Sequence, residues 1–218
     1  MPHFTGTDLV CFRGERTVFT GLDFALGAGD ALVLRGPNGS GKSSLLRLMA
    51  GLSRPLAGAV TWDDESIADN PEAHNLRMHY IGHADPVKPV LTVTENLDFW
   101  TLLRSKANDE LRQPNGVGEA IKSALARLGI GHLADVPGRF LSAGQKRRVN
   151  LARILAAPAT LWLLDEPHTA LDQAALRSLD DAIAEHRRGG GMVVISSHAQ
   201  AAPEDADAID LGQFQERL

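Results

Sequence analysis

The sequence predicts an α/β fold whose core is a buried, mostly parallel β-sheet. Short apolar runs, such as residues 161–164 and 192–195, alternate with helical segments, and unbroken apolar strands between helices are typical of a parallel sheet. A glycine-rich stretch at residues 36–41 also joins a predicted strand to a predicted helix. The chain has 218 residues, of which 44% are hydrophobic, and this suits one α/β domain with a full core.

The first third of the chain is predicted to be mostly β-structure. Apolar or alternating runs bounded by turn residues predict strands at residues 9–12, 18–26, 31–34, 59–62 and 79–81. The third of these strands leads into the glycine-rich stretch, after which a helix is predicted at residues 42–50.

The middle of the chain has a helical pattern instead. Apolar residues recur at helical spacing over residues 93–103 and 120–128, and the polar segment 105–118 predicts an exposed loop between them. We therefore expect residues 1–218 to form a single domain in which about residues 84–140 are an inserted helical subdomain. After residue 141 the α/β alternation returns, with helices predicted at 145–155 and 173–187 and strands at 161–164 and 192–195.

The composition excludes several classes of protein. The net charge of −5 argues against a nucleic-acid binder, because such proteins depend on positive charge. Cys11 is the only cysteine, so neither an intramolecular disulfide nor a cysteine zinc cluster is expected. The same observation predicts a reducing compartment. Residues 1–30 lack the pattern of a secretory signal, and no apolar run approaches the length of about 18 residues that a membrane span needs.

One segment fits the phosphate-binding pattern G-x-x-x-x-G-K-[ST] in full. It consists of Gly36, Pro37, Asn38, Gly39, Ser40, Gly41, Lys42 and Ser43, and Ser44 follows it. Glycines let backbone N–H groups surround a polyphosphate, and the following helix directs its positive end at the same group. In this pattern the lysine, Lys42, reaches the β- and γ-phosphates and the hydroxyl of Ser43 binds Mg²⁺. The sequence therefore predicts that residues 36–44 bind ATP with Mg²⁺.

The predicted strand at residues 161–164 ends in two carboxylates, Asp165 and Glu166. The carboxyl ends of strands in a parallel sheet face the ligand crevice. We expect Asp165 to hold Mg²⁺ through water, and Glu166 to orient or deprotonate the water that attacks the γ-phosphate. Two solvated acids at a strand end are common by themselves, and this interpretation depends on the phosphate-binding segment.

The segment LSAGQ, at residues 141–145, lies between these two motifs and precedes a predicted helix. A small turn with glycine at a helix N-terminus can bind an anion. With the three motifs in this order, the chain resembles the ATP-binding cassette (ABC) ATPase family over about residues 9–198. The resemblance implies a P-loop NTPase fold of the ABC type, with a mostly parallel core sheet, an antiparallel β subdomain and the inserted helical subdomain. The basic residues 146–148 are expected to form a solvated helix face rather than a lipid-binding patch.

The resemblance also implies a head-to-tail dimer in which two copies of the chain enclose two ATP molecules. Ser142 and Gly144, with Gln145, would contact the nucleotide held by the other copy, and residues 169–172 would line the dimer interface. His198 resembles the family's switch histidine, which contacts the γ-phosphate. The predicted catalytic residues are therefore Lys42, Glu166 and His198.

The chain departs from the family pattern at two positions. His83 stands where the family usually has a glutamine that binds Mg²⁺ and senses the membrane partner, and a neutral imidazole could accept from a metal-bound water. Arg13, with Phe12 beside it, stands where the family usually has an aromatic residue that stacks on adenine. A guanidinium plane can also stack on a base, so Arg13 is a predicted nucleotide contact, with loosened selectivity for the base.

Further segments resemble one branch of the family, the haem-exporter ATPase subunits of bacterial cytochrome c maturation. They lie at residues 51–55, 81–83, 91–100 and 161–167, and the segment after residue 198 is short. This resemblance implies a peripheral subunit on the cytoplasmic face of the inner membrane, bound to the integral membrane subunits of the export complex and to no nucleic acid. Its ATP hydrolysis would support release of a haem-loaded chaperone.

Other interpretations stay open at this point. An ABC ATPase that powers export of a different substrate would carry the same ATP motifs. A soluble ABC protein acting on ribosomes or DNA usually has two cassettes or a long coiled-coil insert, and the sequence shows neither. A P-loop kinase for a small molecule fits poorly with the LSAGQ segment and the long helical insert.

Overall fold

The computed structural model describes residues 3–105, 109–197, 203 and 205–214 of the chain. Within them the strands are β1 (Phe4–Arg13), β2 (Arg16–Leu26), β3 (Ala31–Arg35), β4 (Ala57–Trp62), β5 (Glu65–Ser66), β6 (Met78–Ile81), β7 (Leu161–Asp165), β8 (Met192–Ser196) and β9 (Asp207–Asp210). The helices are α1 (Lys42–Met49), α2 (Pro71–Arg77), α3 (Val93–Ser105), α4 (Asp109–Arg112), α5 (Gly116–Arg127), α6 (Ala143–Ala156) and α7 (Gln173–Arg188). None of these helices is both long enough and apolar enough to cross a membrane.

The chain divides into two compact units, of which the first comprises Met1–Gly82, Thr160–Pro167 and His186–Leu218. This unit holds all the strands named above, arranged in two sheets. A five-stranded parallel sheet has the order β6-β7-β8-β3-β9, and a four-stranded antiparallel sheet has the order β2-β1-β4-β5. The two sheets confirm the predicted fold class.

The register of the parallel sheet brings three strand ends to one level. Ser196, the last residue of β8, pairs with Leu34 of β3 on one side and with Asp165 of β7 on the other. Parallel strands present their carboxyl ends at the same edge of a sheet. The glycine-rich segment after β3 and Glu166 after β7 therefore leave the sheet from one edge, separated only by β8.

The core of this unit surrounds α1 and takes side chains from both sheets. Leu45, Leu48 and Met49 recur at helical spacing and are each at most 1% exposed. In the antiparallel sheet the ring of Phe4 lies 5.5 Å from that of Trp62. Each such buried side chain stabilises the fold by about 1.5–3 kcal/mol. This packing fixes the position of α1, whose first turn belongs to the predicted phosphate site.

The second unit, His83–Ala159 and His168–Glu185, is built from α3, α4, α5 and α6 with most of α7. The start of α3 is set by a reciprocal cap. The Thr92 hydroxyl accepts from the N–H of Glu95 at 3.2 Å, and the Glu95 carboxylate accepts from the N–H of Thr92 at 2.7 Å. This local signal explains why the helix predicted at residues 93–103 is confirmed.

Most predicted elements are present with bounds shifted by a few residues, but the loop predicted at residues 105–118 is wrong. Helix α4 occupies Asp109–Arg112, and α5 begins at Gly116, where Asn115 precedes it with φ +66°. Polar composition is typical of exposed residues and does not by itself determine the backbone conformation. Strand β1 is also longer than the predicted 9–12, because irregular pairing around Asp8 (φ +48°) interrupts its alternation.

Candidate functional site

The segment between β3 and α1 forms a tight turn that requires glycine at two positions. Gly36 has φ +132° and Gly41 has φ +107°, in the region that residues with a side chain rarely adopt. A Cβ atom at Gly36 would lie 2.7 Å from Oγ of Ser40, and one at Gly41 would lie 2.7 Å from a methyl of Val18. Both positions therefore exclude a side chain by backbone angle and by space.

Lys42 begins α1 and directs its ammonium back into this turn. Nζ donates to the backbone oxygen of Gly36 at 2.8 Å and to that of Pro37 at 3.1 Å, and the residue is 6% exposed. Ser40 is also buried, and its Oγ has no hydrogen-bond partner among the described residues. The turn thus combines a cation with the positive end of a helix, an arrangement that suits a polyphosphate.

A cleft of about 400 Å³ opens beside this turn. Its lining comes from the β1–β2 hairpin, from the turn and the first residues of α1, and from the end of β7. The lining residues are Arg13, Gly14, Arg16, Val18, Asn38, Gly39, Gly41, Lys42, Ser43, Ser44 and Glu166. The structure therefore brings together Arg13, Lys42 and Glu166, which the sequence analysis selected from distant parts of the chain.

The two carboxylates at the end of β7 have different surroundings. Asp165 is 3% exposed, and its Oδ1 accepts a 2.6 Å hydrogen bond from the hydroxyl of Ser196. Glu166 lines the cleft and has φ +47°, which is unusual for a residue with a side chain. Its N–H donates to Oγ of Ser196 at 3.0 Å and to the backbone oxygen of Ser196 at 3.2 Å. Ser196 therefore contacts both acidic residues.

In the second unit, Ser142 caps the N-terminus of α6. Its Oγ accepts from the N–H of Gln145 at 3.3 Å, and the Gln145 side chain accepts from the N–H of Ser142 at 2.8 Å. Ser142 is exposed, and this cap uses its oxygen but not its hydroxyl proton. A Cβ atom at Gly144 would lie 3.0 Å from the backbone oxygen of Ala170. The predicted contacts Ser142, Gly144 and Gln145 thus form one turn, which lies against the segment 169–172.

The expectation that residues 146–148 form a solvated helix face is wrong for Arg147. Arg147 is 4% exposed, and its Nη1 lies 3.2 Å from Oδ1 of Asp85. Nη2 of Arg148 lies 2.7 Å from Oδ2 of Asp172. Both carboxylates come from segments remote in the sequence, so the local run of charge gave no sign of these pairs.

Asp172 also caps the start of α7. Its Oδ1 accepts from the N–H of Ala175 at 2.9 Å. This bond first, and then the charge of Arg148, holds the pKa of the Asp172 carboxyl below its ordinary value. An ionised Asp172 therefore joins the beginning of α7 to α6.

Of the remaining predicted residues, His83 and Phe12 lie outside these two groups. His83 is exposed and begins the second unit. Phe12 pairs with Thr17 in the hairpin, is 53% exposed and does not line the cleft. His198 lies outside the described residues.

Two residues that contact or line this site were not among the predicted ones: Ser196 binds both acidic residues, and Arg16 lines the cleft. Ser196 ends a buried strand beside the acidic strand, and a small hydroxyl at that place was the available signal. Arg16 pairs with Arg13 across the hairpin turn, and the signal was its position on the far side of Arg13-Gly14.

Comparison with known proteins identifies the family of this chain. The family described as ABC transporter matches residues 19–169. A protein of Paramagnetospirillum magneticum named cytochrome c biogenesis ATP-binding export protein CcmA is 55% identical over 211 residues, which cover 97% of this chain and 94% of that protein. The protein of the same name in Pseudomonas syringae pv. syringae is 42% identical, over 98% of this chain and 97% of that protein.

Solved structures share the fold at low sequence identity. An ATP binding subunit of an ABC transporter has a TM-score of 0.84 at 22% identity, covering 96% of this chain and 86% of that one. A nucleotide-free ATP-binding cassette from an ABC transporter has a TM-score of 0.71 at 23% identity, covering 91% and 82%. The phosphate-binding turn, the acidic strand end, the fold and the similarity to relatives agree, and the chain belongs to the ABC transporter family, in the branch of its CcmA relatives.

Proposed function

We propose that this chain is the ATP-hydrolysing subunit of an ABC transporter that powers haem export, or release of a haem-loaded chaperone, in the biogenesis of c-type cytochromes. The main observation that supports ATPase activity is that Lys42, Ser43 and Glu166 line one cleft. The export branch is supported by 55% identity, over nearly the whole chain, with a protein named for cytochrome c biogenesis. An ABC ATPase for another exported substrate is the alternative.

The glycine-rich turn and the cleft beside it bind the nucleotide. Nζ of Lys42 lies within the turn, from which a lysine reaches the β- and γ-phosphates, and the N–H groups at the start of α1 surround the same charge. The proposed nucleotide contacts in this unit are Arg13, Gly36, Pro37, Asn38, Gly39, Ser40, Gly41, Lys42, Ser43 and Ser44.

The oxygen donors near this turn fit Mg²⁺, which prefers one or two carboxylates together with phosphate oxygens and water. Ser43 supplies a hydroxyl in the cleft, and Asp165 supplies a carboxylate at the same sheet edge, so these two residues would hold the ion. His83 is a further, weaker predicted ligand. In the part of the chain that the structure describes, no group of three or more His, Cys, Asp or Glu side chains could hold a metal ion alone, which favours an ion shared with the nucleotide. When bound, Mg²⁺ neutralises charge on the β- and γ-phosphates.

Glu166 orients or deprotonates the water that attacks the γ-phosphate. Support comes from its place in the cleft and from the two hydrogen bonds by which Ser196 fixes its backbone. Lys42 stabilises the charge that develops on the transferred group. The catalytic residues proposed are therefore Lys42 and Glu166, together with His198 as a γ-phosphate contact.

A second copy of the chain supplies the remaining contacts. Ser142, Gly144 and Gln145 of one copy contact the nucleotide bound by the other, and residues 169–172 line the interface. The exposed position of Ser142 at the positive end of α6, with a hydroxyl proton available to donate, supports this role.

We also propose the setting in which the ATPase works. Residues 1–218 form a single ATPase domain with a helical subdomain inserted at about residues 84–140. The domain is peripheral to the cytoplasmic face of the bacterial inner membrane and binds integral membrane subunits of the export complex. It binds no nucleic acid, as its net charge of −5 supports.

The substitution Glu166→Gln tests the chemistry, because it keeps the shape of the side chain and removes its charge. We expect ATP affinity to be kept, turnover to fall by about 10²–10⁴-fold, and a dimer to accumulate with ATP. Equilibrium titration, phosphate release and light scattering measure the three effects. The exposed Glu119→Gln is the control, and Lys42→Ala should lose nucleotide binding. Turnover of Glu166→Gln within a few-fold of the unsubstituted chain would contradict the role of Glu166.

The same substitution in the native cell tests the export branch. With Glu166→Gln on the chromosome, we expect proteins with covalently bound haem to disappear from a haem stain, while b-type haem remains. Unchanged c-type cytochromes would show that the chain powers export of another substrate, and co-purification would then identify its membrane partner.

A further inference from the structure

One end of the cleft is formed by the β1–β2 hairpin. Arg13 and Arg16 are its last paired residues, and Gly14 (φ +57°) and Glu15 (φ +63°) form the turn between them. Positive φ at both central residues is the geometry of a tight type I′ turn. Directly paired residues of antiparallel strands project to the same face. The two arginine side chains therefore stand side by side, and both line the cleft.

Within the described part of the chain, no aromatic side chain lines this cleft. Phe12, the aromatic residue nearest in sequence, is 53% exposed and lies outside the lining. Val18 supplies apolar surface, and contact with a methyl group does not distinguish one base from another. Selection of the base at this end therefore depends on polar groups.

The phosphate end of the cleft cannot select a base either. The turn at residues 36–41 and Lys42 act on phosphates, which all nucleoside triphosphates share. A base bound with its phosphates at the turn lies toward the hairpin. There Arg13 and Arg16 contribute two guanidinium groups to the lining.

The chemistry of a guanidinium group favours guanine over adenine. Its plane stacks on the face of either base. Its edge donates two parallel hydrogen bonds, and guanine offers two neighbouring acceptors, O6 and N7. Adenine offers N7 beside an amino group, which is itself a donor and opposes the guanidinium. Neither lining side chain at the hairpin accepts a hydrogen bond from that amino group, because arginine is only a donor.

We propose that Arg13 and Arg16 select the base in this cleft, and that the cleft binds guanine nucleotides at least as well as adenine nucleotides. The inference rests on the proposed nucleotide hydrolysis and narrows its substrate class. The chain is then a purine nucleoside triphosphatase without preference for ATP.

Competition binding with the full-length chain and Mg²⁺ tests this proposal. ATP and GTP each displace a fluorescent ATP analogue, and we expect the dissociation constant of GTP to be below that of ATP or within about threefold of it. A GTP constant more than about threefold above that of ATP overturns the inference and leaves the ATPase proposal standing. Failure of both nucleotides to bind contradicts the inference and the ATPase proposal together.

A pair of variants tests the residues. Glutamine can form two hydrogen bonds with the N6 and N7 positions of adenine, so the double substitution Arg13→Gln/Arg16→Gln should weaken GTP relative to ATP by about tenfold. Arg54→Gln, at an exposed arginine outside the cleft, is the matched control and should leave the ratio unchanged. Lys42→Ala should weaken both nucleotides alike. An unchanged ratio in the double variant overturns the assignment of the two arginines.

Discussion

Ser196, at the end of a strand, contacts both acidic residues of the proposed catalytic site. It is fully buried, its hydroxyl donates to the carboxylate of Asp165, and its two oxygens accept from the N–H of Glu166. A hydrogen bond to a charged group contributes about 1.5–3 kcal/mol to stability. The Ser196 side chain therefore positions both acidic residues. It is not itself one of the proposed phosphate contacts.

Replacing Ser196 by alanine should separate positioning from binding. Ser196→Ala removes a donor from the buried Asp165 and one of the two acceptors of the Glu166 N–H. We expect kcat to fall about tenfold with little change in KM, and the free energy of unfolding to fall by about 1–3 kcal/mol. Steady-state hydrolysis and urea unfolding measure these effects, with the exposed Ser53→Ala as control. An unchanged kcat would show that Ser196 is only structural.

At the scale of elements, Asp85 joins the segment after β6 to helix α6. Its Oδ1 accepts from Arg147 at 3.2 Å and from Asn150 at 2.9 Å, and these two residues are neighbours on one face of α6. Arg147 is 4% exposed, so its charge is largely removed from water. A buried charge that loses its partner costs more than a pair at the surface.

Exchanging the two charges tests this link. Asp85→Arg and Arg147→Asp should each lower the free energy of unfolding by about 2–4 kcal/mol, because each leaves like charges facing. The double variant should recover about half of the summed loss. Urea unfolding of the full cycle measures the coupling energy. The exposed pair Arg127–Glu185 serves as control, with an expected coupling below about 1 kcal/mol. Strict additivity of the Asp85 and Arg147 variants would contradict the link.

The elements differ in how far the sequence predicted them, for physical reasons. Strands β7 and β8 are buried on both faces, so their apolar runs identify them at once. Strand β9 is a sheet edge with the sequence DAID, and only its pairing with β3 makes it a strand. Helix α2 carried a usable signal that the prediction overlooked, since Asn70 caps it and Pro71 occupies its first position.

The residues of the candidate site also differ in how far the sequence predicted them. The glycine-rich turn and the acidic pair depend on local sequence, and their residues could be named before the structure was known. Ser196 and Asp85 act through contacts with residues remote in the chain. Such contacts follow from strand register and helix packing, which spacing along the sequence does not encode.

At the scale of the whole molecule, the buried His74 and the half-buried His186 link stability to pH. Nε2 of His74 lies 2.9 Å from the backbone oxygen of Met49, and the ring of His186 stacks on Trp162 at 4.0 Å with Nε2 3.3 Å from the backbone oxygen of Met192. A carbonyl oxygen only accepts, so Nε2 of His74 holds the proton of its neutral ring. Burial is the main cause that lowers the pKa of both histidines below the ordinary value of 6.5.

The direction of the pH effect follows from proton binding. Below pH 6.5 the unfolded chain binds protons at these histidines more readily than the folded chain does. The free energy of unfolding is therefore highest above that pH and falls below it, by at most about 1.4 kcal/mol per pH unit for each histidine. The pKa values of the Asp172 and Asp205 carboxyls lie below the ordinary 3.8. Both groups therefore stay ionised between about pH 5.5 and pH 7.5 and do not contribute to the change in stability there.

Urea unfolding at about pH 7.5 and pH 5.5 measures this linkage as a loss of stability on acidification. His186→Phe keeps an aromatic ring over Trp162 without a titrating nitrogen, and His74→Gln keeps a donor for the backbone oxygen of Met49. Each substitution should reduce the loss, and the pair should reduce it further, since each removes one group that binds protons preferentially in the unfolded state. His132→Gln, at an exposed ring, is the control and should leave the loss unchanged. If the double variant loses as much stability between the two pH values as the unsubstituted chain, the acid sensitivity arises elsewhere.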